Sequence, residues 1–224
     1  MSVSSRLLSP RQNNLALEQY RSVRTNLDFL RATRQLKTIA VTSGLPEAGK
    51  SLTTANLGIA FAMTEVKTLI VDADLRRPSQ HKLFNLDNRQ GLTSLLMRGQ
   101  SPDQFIDVGP WPNLRILTTG PLPPYPTEIL ANGRIEAALS QLGELFDVIL
   151  IDTPPVLSFA ETAIVAHAAD GVLYVVRAAK SSRRADKKAL EHLRQAEVHV
   201  VGAVLNDAQV QQGPSYYYYS ADRA

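Results

Sequence analysis

The segment GLPEAGKS at residues 44–51 carries the most specific chemical signal in the chain. It matches the phosphate-binding P-loop pattern G-x-x-x-x-G-K-[S/T] at every fixed position. In that pattern, inward-facing backbone N–H groups at a helix N-terminus surround phosphate oxygens, a lysine adds a cation and a hydroxyl binds Mg²⁺. Lys50 would supply the cation and Ser51 the hydroxyl. The alternative is a chance Gly/Lys turn before an ordinary helix.

Three aspartates follow two apolar runs of the sequence. Asp72 and Asp74 end the run LIVDAD, and Asp152 ends the run DVILID. The carboxyl ends of parallel strands form the ligand-binding edge of a sheet, and side chains two apart on a strand point the same way. Asp72 and Asp74 can therefore converge on one bound ion. Any one of these aspartates could instead be a helix N-cap or a turn residue.

Strands and helices alternate along the sequence around these motifs. Residues 37–42 predict a strand and 49–63 a helix, so the phosphate loop lies between them as its pattern requires. Continuous apolar runs predict strands that are buried on both faces. We expect an α/β fold with a predominantly parallel central sheet flanked by helices. The further strands are predicted at 68–71, 115–118, 148–151, 172–176 and 198–205, and the further helices at 127–145, 158–168 and 183–195.

The whole chain divides into three expected units. Residues 1–14 form an N-terminal extension, 15–210 a single domain that begins with an amphipathic helix at 15–30, and 211–224 a flexible tail. Proline and glycine between residues 86 and 126 predict a surface loop there. The tail contains a run of four tyrosines, Tyr216 to Tyr219.

Composition limits the classes of protein. Lys and Arg number 24 against 21 Asp and Glu, a net charge of +3, so we expect no nucleic-acid partner. The absence of cysteine excludes disulfides, thiolate metal sites and cysteine nucleophiles. The sequence contains no apolar run long enough to span a bilayer and no signal-peptide pattern at its start, and we expect a cytoplasmic location.

Together these motifs resemble those of the bacterial tyrosine kinases (BY-kinases) of capsule and exopolysaccharide assembly, which are P-loop proteins related to the MinD/ParA ATPases. The resemblance runs from about residue 17 to the C-terminus. Its Walker A motif is residues 44–51, its Walker A′ motif is 69–74 followed by LRRP, and its Walker B motif is 149–152 followed by TPP.

This resemblance implies transfer of the γ-phosphoryl group of Mg·ATP to tyrosine, with ATP and Mg²⁺ as the required small molecules. Lys50 would bind the phosphates, and Asp72 would orient or deprotonate the phenol. Ser51, Asp74 and Asp152 would hold Mg²⁺. The roles of Asp72 and Asp74 could also be reversed. The implied nucleotide-binding residues are Gly44, Pro46, Glu47, Ala48, Gly49, Lys50, Ser51, Leu52 and Asn206. Relatives usually have glycine at the position of Glu47, whose carboxylate would repel phosphate unless it points outward.

Two further segments gain a meaning from the resemblance. Glu18, Arg21 and Arg24 fit the family's E-x-x-R-x-x-R helix motif, which implies contacts between the subunits of a ring-like homo-oligomer. The alternative is a solvent-exposed helix face with a local Glu/Arg pair. Tyr216, Tyr217, Tyr218 and Tyr219 fit the tyrosine cluster that family members phosphorylate, usually on a neighbouring subunit. Otherwise the cluster is a packed aromatic strand or an aggregation-prone tail.

The resemblance also implies partners. These are a membrane-embedded polysaccharide co-polymerase that activates the kinase, fused or separate, and a phosphotyrosine phosphatase; the kinase would then lie at the inner face of the membrane through its partner. The basic cluster at 183–188 could contact such an activator or lipid, or be a solvent-exposed helix face.

Two other functions remain alternatives to a tyrosine kinase. One is a MinD/ParA-like ATPase switch, which carries a second lysine where this chain has Leu45. The other is a non-catalytic scaffold.

Overall fold

The computed structural model describes residues 7–9, 15–178 and 180–208. The tyrosine cluster, the rest of the predicted tail and most of the predicted N-terminal extension lie outside these ranges. Within them, no helix is both long and apolar enough for a membrane span.

A sheet of seven strands forms the centre of the described part of the chain, in the order β3-β4-β2-β5-β1-β6-β7. All neighbouring strands are parallel except β3 and β4, which pair antiparallel. The predicted α/β architecture is therefore confirmed. The strands are β1 (Thr38–Thr42), β2 (Thr68–Asp72), β3 (Asp107–Val108), β4 (Leu114–Leu117), β5 (Val148–Asp152), β6 (Gly171–Arg177) and β7 (Val200–Asn206).

Helices cover both faces of the sheet. The helices are α1 (Leu15–Arg34), α2 (Lys50–Ala62), α3 (Gln80–Phe84), α4 (Leu92–Arg98), α5 (Pro126–Leu130), α6 (Arg134–Leu145), α7 (Glu161–Ala168) and α8 (Arg183–Gln195). Every residue of β1, β2 and β5 is buried, as their continuous apolar sequences require. On one face α1 and α2 pack through residues such as Leu27 and Phe61, and on the other α4 to α8 pack through residues such as Leu139 and Val165.

Two predictions about local structure were wrong. The expected surface loop at 86–126 contains α4, whose Leu92 and Leu95 are buried. Backbone N–H groups of Leu92 and Thr93 donate to the carbonyls of residues 118 and 119, which fixes this helix against the end of β4. The helix ends before the first proline of the region, Pro102, so the proline-rich composition does not apply to it.

The expected single helix at 127–145 is two helices, α5 and α6. Asn132 and Gly133 between them have φ angles of 61° and 76°. This left-handed backbone cannot continue a right-handed helix, and both residue types adopt it readily. The chain therefore turns here, although the apolar spacing on either side is helical.

The sheet register brings the sequence motifs to one edge. Asp152 is the Cα partner of Val41 on one side and of Asp72 on the other. The phosphate loop leaves the end of β1, and the carboxylates leave the ends of β2 and β5. This edge is the crevice where ligands of open parallel sheets bind.

Candidate active site

The phosphate loop is shaped by its first and last glycines. Gly49 has a φ angle of 92°, a left-handed conformation that disfavours other residues, and it is the N-cap of α2. A Cβ atom on Gly49 would collide with the side-chain amide of Asn206, and one on Gly44 would lie 2.7 Å from the hydroxyl of Tyr174. Neighbouring side chains thus approach the loop closely at both glycines, and larger residues do not fit there.

Lys50 and Ser51 begin α2 directly below the loop. Lys50 is buried, and within the described residues its ammonium group forms no ion pair. The hydroxyl of Ser51 lies near the carboxylate of Asp152. Burying a cation outside an ion pair is costly, and phosphate oxygens would supply direct partners.

Asp72 is fully buried at the end of β2. Its Oδ2 accepts backbone hydrogen bonds from Ser79 and Gln80, each 2.9 Å long, and its Oδ1 accepts one of 3.2 Å from Asp74. Burial raises the pKa of Asp72 well above its ordinary value, and the neighbouring charge of Asp152 raises it further, whereas the bonds from Gln80 and Ser79 oppose the rise. The carboxyl group is therefore held in a fixed orientation with an increased affinity for a proton.

Asp152 is also fully buried, at the end of β5. Its Oδ2 accepts a 2.8 Å hydrogen bond from the side-chain amide of Gln80, whereas its Oδ1 is buried with no hydrogen-bond partner among the described residues. Burial raises the pKa of Asp152, and the nearby charge of Lys50 and hydroxyl of Ser51 oppose this rise. An unpaired buried acceptor costs about 1–3 kcal/mol, so this oxygen fits a site that receives Mg²⁺ or a metal-bound water.

Asp74 lies two residues further, in the turn after β2. It is 6% exposed, and its Oδ1 accepts backbone N–H groups of Arg76 at 3.2 Å and Arg77 at 2.9 Å. Across the described ranges no group of three or more His, Cys, Asp or Glu side chains is placed to hold a metal. A Mg²⁺ ion at this edge would therefore need oxygen ligands from Ser51 and the nucleotide besides the aspartates.

Glu47 lies within the phosphate loop and has an exposed side chain and a φ angle of 62°. Glycine adopts this left-handed conformation more easily than other residues. The main chain of the loop is held from the ends of β6 and β7: Arg177 Nη1 donates to the carbonyl of Glu47, and Asn206 Nδ2 donates to that of Ala48, each at 3.0 Å. The predicted nucleotide-binding residue Asn206 therefore contacts the loop itself.

The predicted interface motif lies on α1. Glu18 and Arg21 form an ion pair of 2.5 Å and are each about half exposed, with 52% and 45% of their side-chain area accessible. Arg24 is 19% exposed and lies 3.7 Å from Asp28. Its Nη1 also donates to the carbonyl of Ala60 on α2 at 3.4 Å. Glu18 and Arg21 therefore face outward, whereas Arg24 packs inward.

Gln80, Tyr174 and Arg177 are site residues that the sequence motifs did not indicate. Gln80 lies eight residues after Asp72 and joins the two buried aspartates. Tyr174 lies within a continuous apolar strand, and Arg177 ends the same strand. No residue-type pattern distinguishes a glutamine, tyrosine or arginine that contacts a phosphate loop from one that does not, and only the tertiary arrangement reveals them.

Comparison with protein-family models places residues 35–215 in a family described as "ParA: NUBPL iron-transfer P-loop NTPase". The parallel sheet, the phosphate loop after β1 and the aspartates after β2 and β5 agree with this match. The chain therefore belongs to the ParA-type P-loop NTPases.

Individual proteins with a similar sequence or structure narrow the family within the ParA-type proteins. The chain is 37% identical over 206 residues to the tyrosine-protein kinase YwqD of Bacillus subtilis (strain 168), covering 92% of this chain and 87% of YwqD. It superimposes on the crystal structure of the chimerical protein CapA2B2 with a TM-score of 0.86, at 33% identity and over 92% of this chain and 91% of that one. It is also 29% identical to the tyrosine-protein kinase Etk of Escherichia coli (strain K12), but spans only 28% of its length. Within the ParA-type proteins, this chain belongs to the family of bacterial tyrosine kinases.

Proposed function

We propose that this protein is an ATP-dependent protein-tyrosine kinase that phosphorylates its own C-terminal cluster, Tyr216–Tyr219. The observation that carries the proposal is the meeting of the phosphate loop with Asp72 and Asp152 at one sheet edge, in a member of the bacterial tyrosine kinase family. Nothing in the fold or the relatives favours the MinD/ParA-like switch.

In this mechanism the chain mainly positions the reactants. The loop amides of residues 44–52 and the ammonium of Lys50 bind the phosphates. Ser51, Asp74 and Asp152 hold Mg²⁺, which supplies charge neutralisation on the phosphate oxygens. The phenol oxygen forms a bond to the γ-phosphorus as the bond to the bridging β–γ oxygen breaks, and ADP leaves with that electron pair.

Asp72 is proposed to accept the phenol proton. Burial raises the pKa of this carboxyl group, so its carboxylate form binds a proton more tightly than that of an exposed aspartate. Asp74 is the more exposed of the two carboxylates and is proposed to hold metal.

Comparison of Asp72→Asn with Asp74→Asn separates the roles. Asp72→Asn should lose turnover but keep Mg²⁺-dependent ADP binding. Asp74→Asn should lose the dependence of ADP binding on Mg²⁺. The opposite result would exchange the two roles.

The proposed assembly is a ring-like homo-oligomer in which the tail of one subunit enters the site of the next. The outward ion pair of Glu18 and Arg21 supports an interface on α1. Because Etk is much longer than this chain, a membrane-embedded co-polymerase, fused or separate, is proposed as the activator. The protein would then act at the inner face of the membrane in capsule or exopolysaccharide synthesis, with a phosphotyrosine phosphatase reversing the modification.

A mixing experiment tests phosphorylation between subunits. A Lys50→Met chain that keeps its tyrosines is combined with an otherwise unchanged chain lacking residues 211–224, and phosphotyrosine is measured on the first. We expect phosphate on the Lys50→Met chain only when the second chain and Mg·ATP are present. Phosphorylation of the Lys50→Met chain by itself would contradict the role of Lys50. A failure in the mixture, with normal phosphorylation of the unaltered chain, would show transfer within one subunit.

A further inference from the structure

Gln80 connects three parts of the candidate site. It is the first residue of α3 and has no solvent-exposed area. Its backbone N–H donates to Asp72 Oδ2 at 2.9 Å, and its side-chain Nε2 donates to Asp152 Oδ2 at 2.8 Å and to the carbonyl oxygen of Ser51 at 3.0 Å. The ends of β2 and β5 and the first turn of α2 are therefore linked through a single residue.

The hydrogen bond from Gln80 distinguishes the two carboxylate oxygens of Asp152. Oδ2 is occupied by the amide, while Oδ1 is buried without a partner among the described residues. The Oε1 atom of Gln80 is likewise buried and unpartnered in this part of the chain. Two buried acceptors that lack donors mark a polar position that can receive a cation and its bound water.

We propose that Gln80 is a positioning residue that fixes the carboxylate of Asp152 so that Oδ1 remains free for Mg²⁺ or for a water bound to it. The inference rests on the proposed Mg·ATP site and assigns a further residue to it. Residues that orient metal ligands through hydrogen bonds commonly change metal affinity by 10–100-fold when they are replaced. Gln80 has the geometry of such a residue because it donates to a ligand and leaves the other oxygen open.

The test measures Mg²⁺-dependent binding of a fluorescent ADP analogue to the whole chain. The ratio of the dissociation constants in EDTA and in saturating Mg²⁺ reports the coupling between metal and nucleotide. Gln80→Met keeps the length of the side chain but removes both donors. We expect it to lower this ratio about 10-fold or more, while the dissociation constant in EDTA changes less than about 3-fold, because Lys50 and the loop amides still bind the phosphates.

A second background tests whether Gln80 acts through Asp152. In an Asp152→Ala chain, Gln80→Met should lower the ratio less than about 2-fold, because the group that it orients is absent. Gln141→Met, at an exposed glutamine of α6, is the matched control and should match the unaltered chain. If Gln80→Met does not fold, as judged by thermal unfolding, Gln80→Asn replaces it, since its shorter amide cannot make the same bonds.

Three results would overturn the inference. Unchanged coupling in a folded Gln80 variant would remove the positioning role. An equal loss of ADP affinity with and without Mg²⁺ would show that Gln80 acts on the phosphate loop through the Ser51 carbonyl. Additive losses in the Asp152→Ala background would show that it does not act through Asp152. If the unaltered chain showed no coupling at all, the proposed magnesium site would fail, and this inference with it.

Discussion

The hydroxyl oxygen of Tyr174 on β6 lies 2.7 Å from the position that a Cβ atom on Gly44 would occupy. The same hydroxyl donates to Asp186 Oδ1 on α8 at 2.9 Å, and the backbone N–H of Gly44 lies nearby. Burial and the adjacent Asp186 raise the pKa of Tyr174, so the phenol remains a donor throughout the physiological range. The first glycine of the phosphate loop is therefore in contact with a buried network from the neighbouring strand and helix.

Gly44→Ala should displace this hydroxyl. We expect a loss of about 1–3 kcal/mol in the free energy of unfolding, measured by denaturant titration, because an added methyl group overpacks the site. In a Tyr174→Phe background the same substitution should cost less than half as much, since the hydroxyl is gone. Gly143→Ala is the control, because a Cβ there meets only Lys37 at 3.4 Å. Equal costs in both backgrounds would contradict the contact.

Glu47→Gly should stabilise the protein and strengthen ADP binding. A left-handed non-glycine residue costs about 1–2 kcal/mol, and the substitution also removes a negative charge from the loop. Glu47→Gln separates the two effects, because it removes the charge but keeps the strained conformation. We expect a higher melting temperature only for glycine and tighter binding for both. Weaker ADP binding by Glu47→Gly would show that the carboxylate contributes to the site.

Arg177 should stabilise the loop in the form that binds nucleotide. It donates to the Glu47 carbonyl and pairs with Asp207 at 2.8 Å, thereby joining the ends of β6 and β7 to the loop. Arg177→Met should weaken ADP binding by several-fold, which corresponds to about 1 kcal/mol. Arg194→Met, which breaks only an exposed ion pair with Glu191, should leave binding unchanged. Equal binding by the two variants would exclude a role for Arg177 in the loop.

Arg76 should stabilise the turn after β2 by neutralising Glu161. The Glu161 side chain is 2% exposed, and its Oε1 accepts hydrogen bonds from Arg76 Nη2 at 2.6 Å and Nε at 3.0 Å. Arg76→Ala should cost about 1–3 kcal/mol of stability, because it leaves a buried carboxylate without its partner. Arg77→Ala, at an exposed neighbour, should cost less than about 0.5 kcal/mol. Thermal unfolding of both variants measures the difference, and similar losses would contradict this account.

The sequence predicted the sheet well because its central strands are continuous apolar runs, which burial on both faces explains. The phosphate loop and the aspartates at the ends of β2 and β5 followed from motif spacing combined with the geometry of parallel sheets. Helix α4 and the break between α5 and α6 were missed. The first depends on backbone bonds to residues 118 and 119, and the second on the left-handed conformations of residues 132 and 133. Tertiary contacts and single backbone angles of this kind leave little trace in apolar periodicity.

The candidate site likewise contains residues that the sequence predicted and residues that it did not. Lys50, Ser51 and Asp152 were predicted and lie together, with the Ser51 hydroxyl near the Asp152 carboxylate. The side-chain contacts of Gln80 and Arg177 could not be predicted, because they join residues 29 to 130 positions apart in the chain. The roles assigned to individual aspartates and the use of the tyrosine cluster stay predictions.

Intact mass spectrometry tests the central claim most directly. The purified chain is treated with phosphatase, freed of it and incubated with Mg·ATP, beside a Lys50→Met chain treated in the same way. We expect phosphoryl increments that return only in the unaltered chain and that map to Tyr216–Tyr219. Turnover of ATP without any phosphotyrosine would contradict the kinase assignment and indicate an ATPase switch. Increments of equal size in the Lys50→Met chain would contradict catalysis at this phosphate loop.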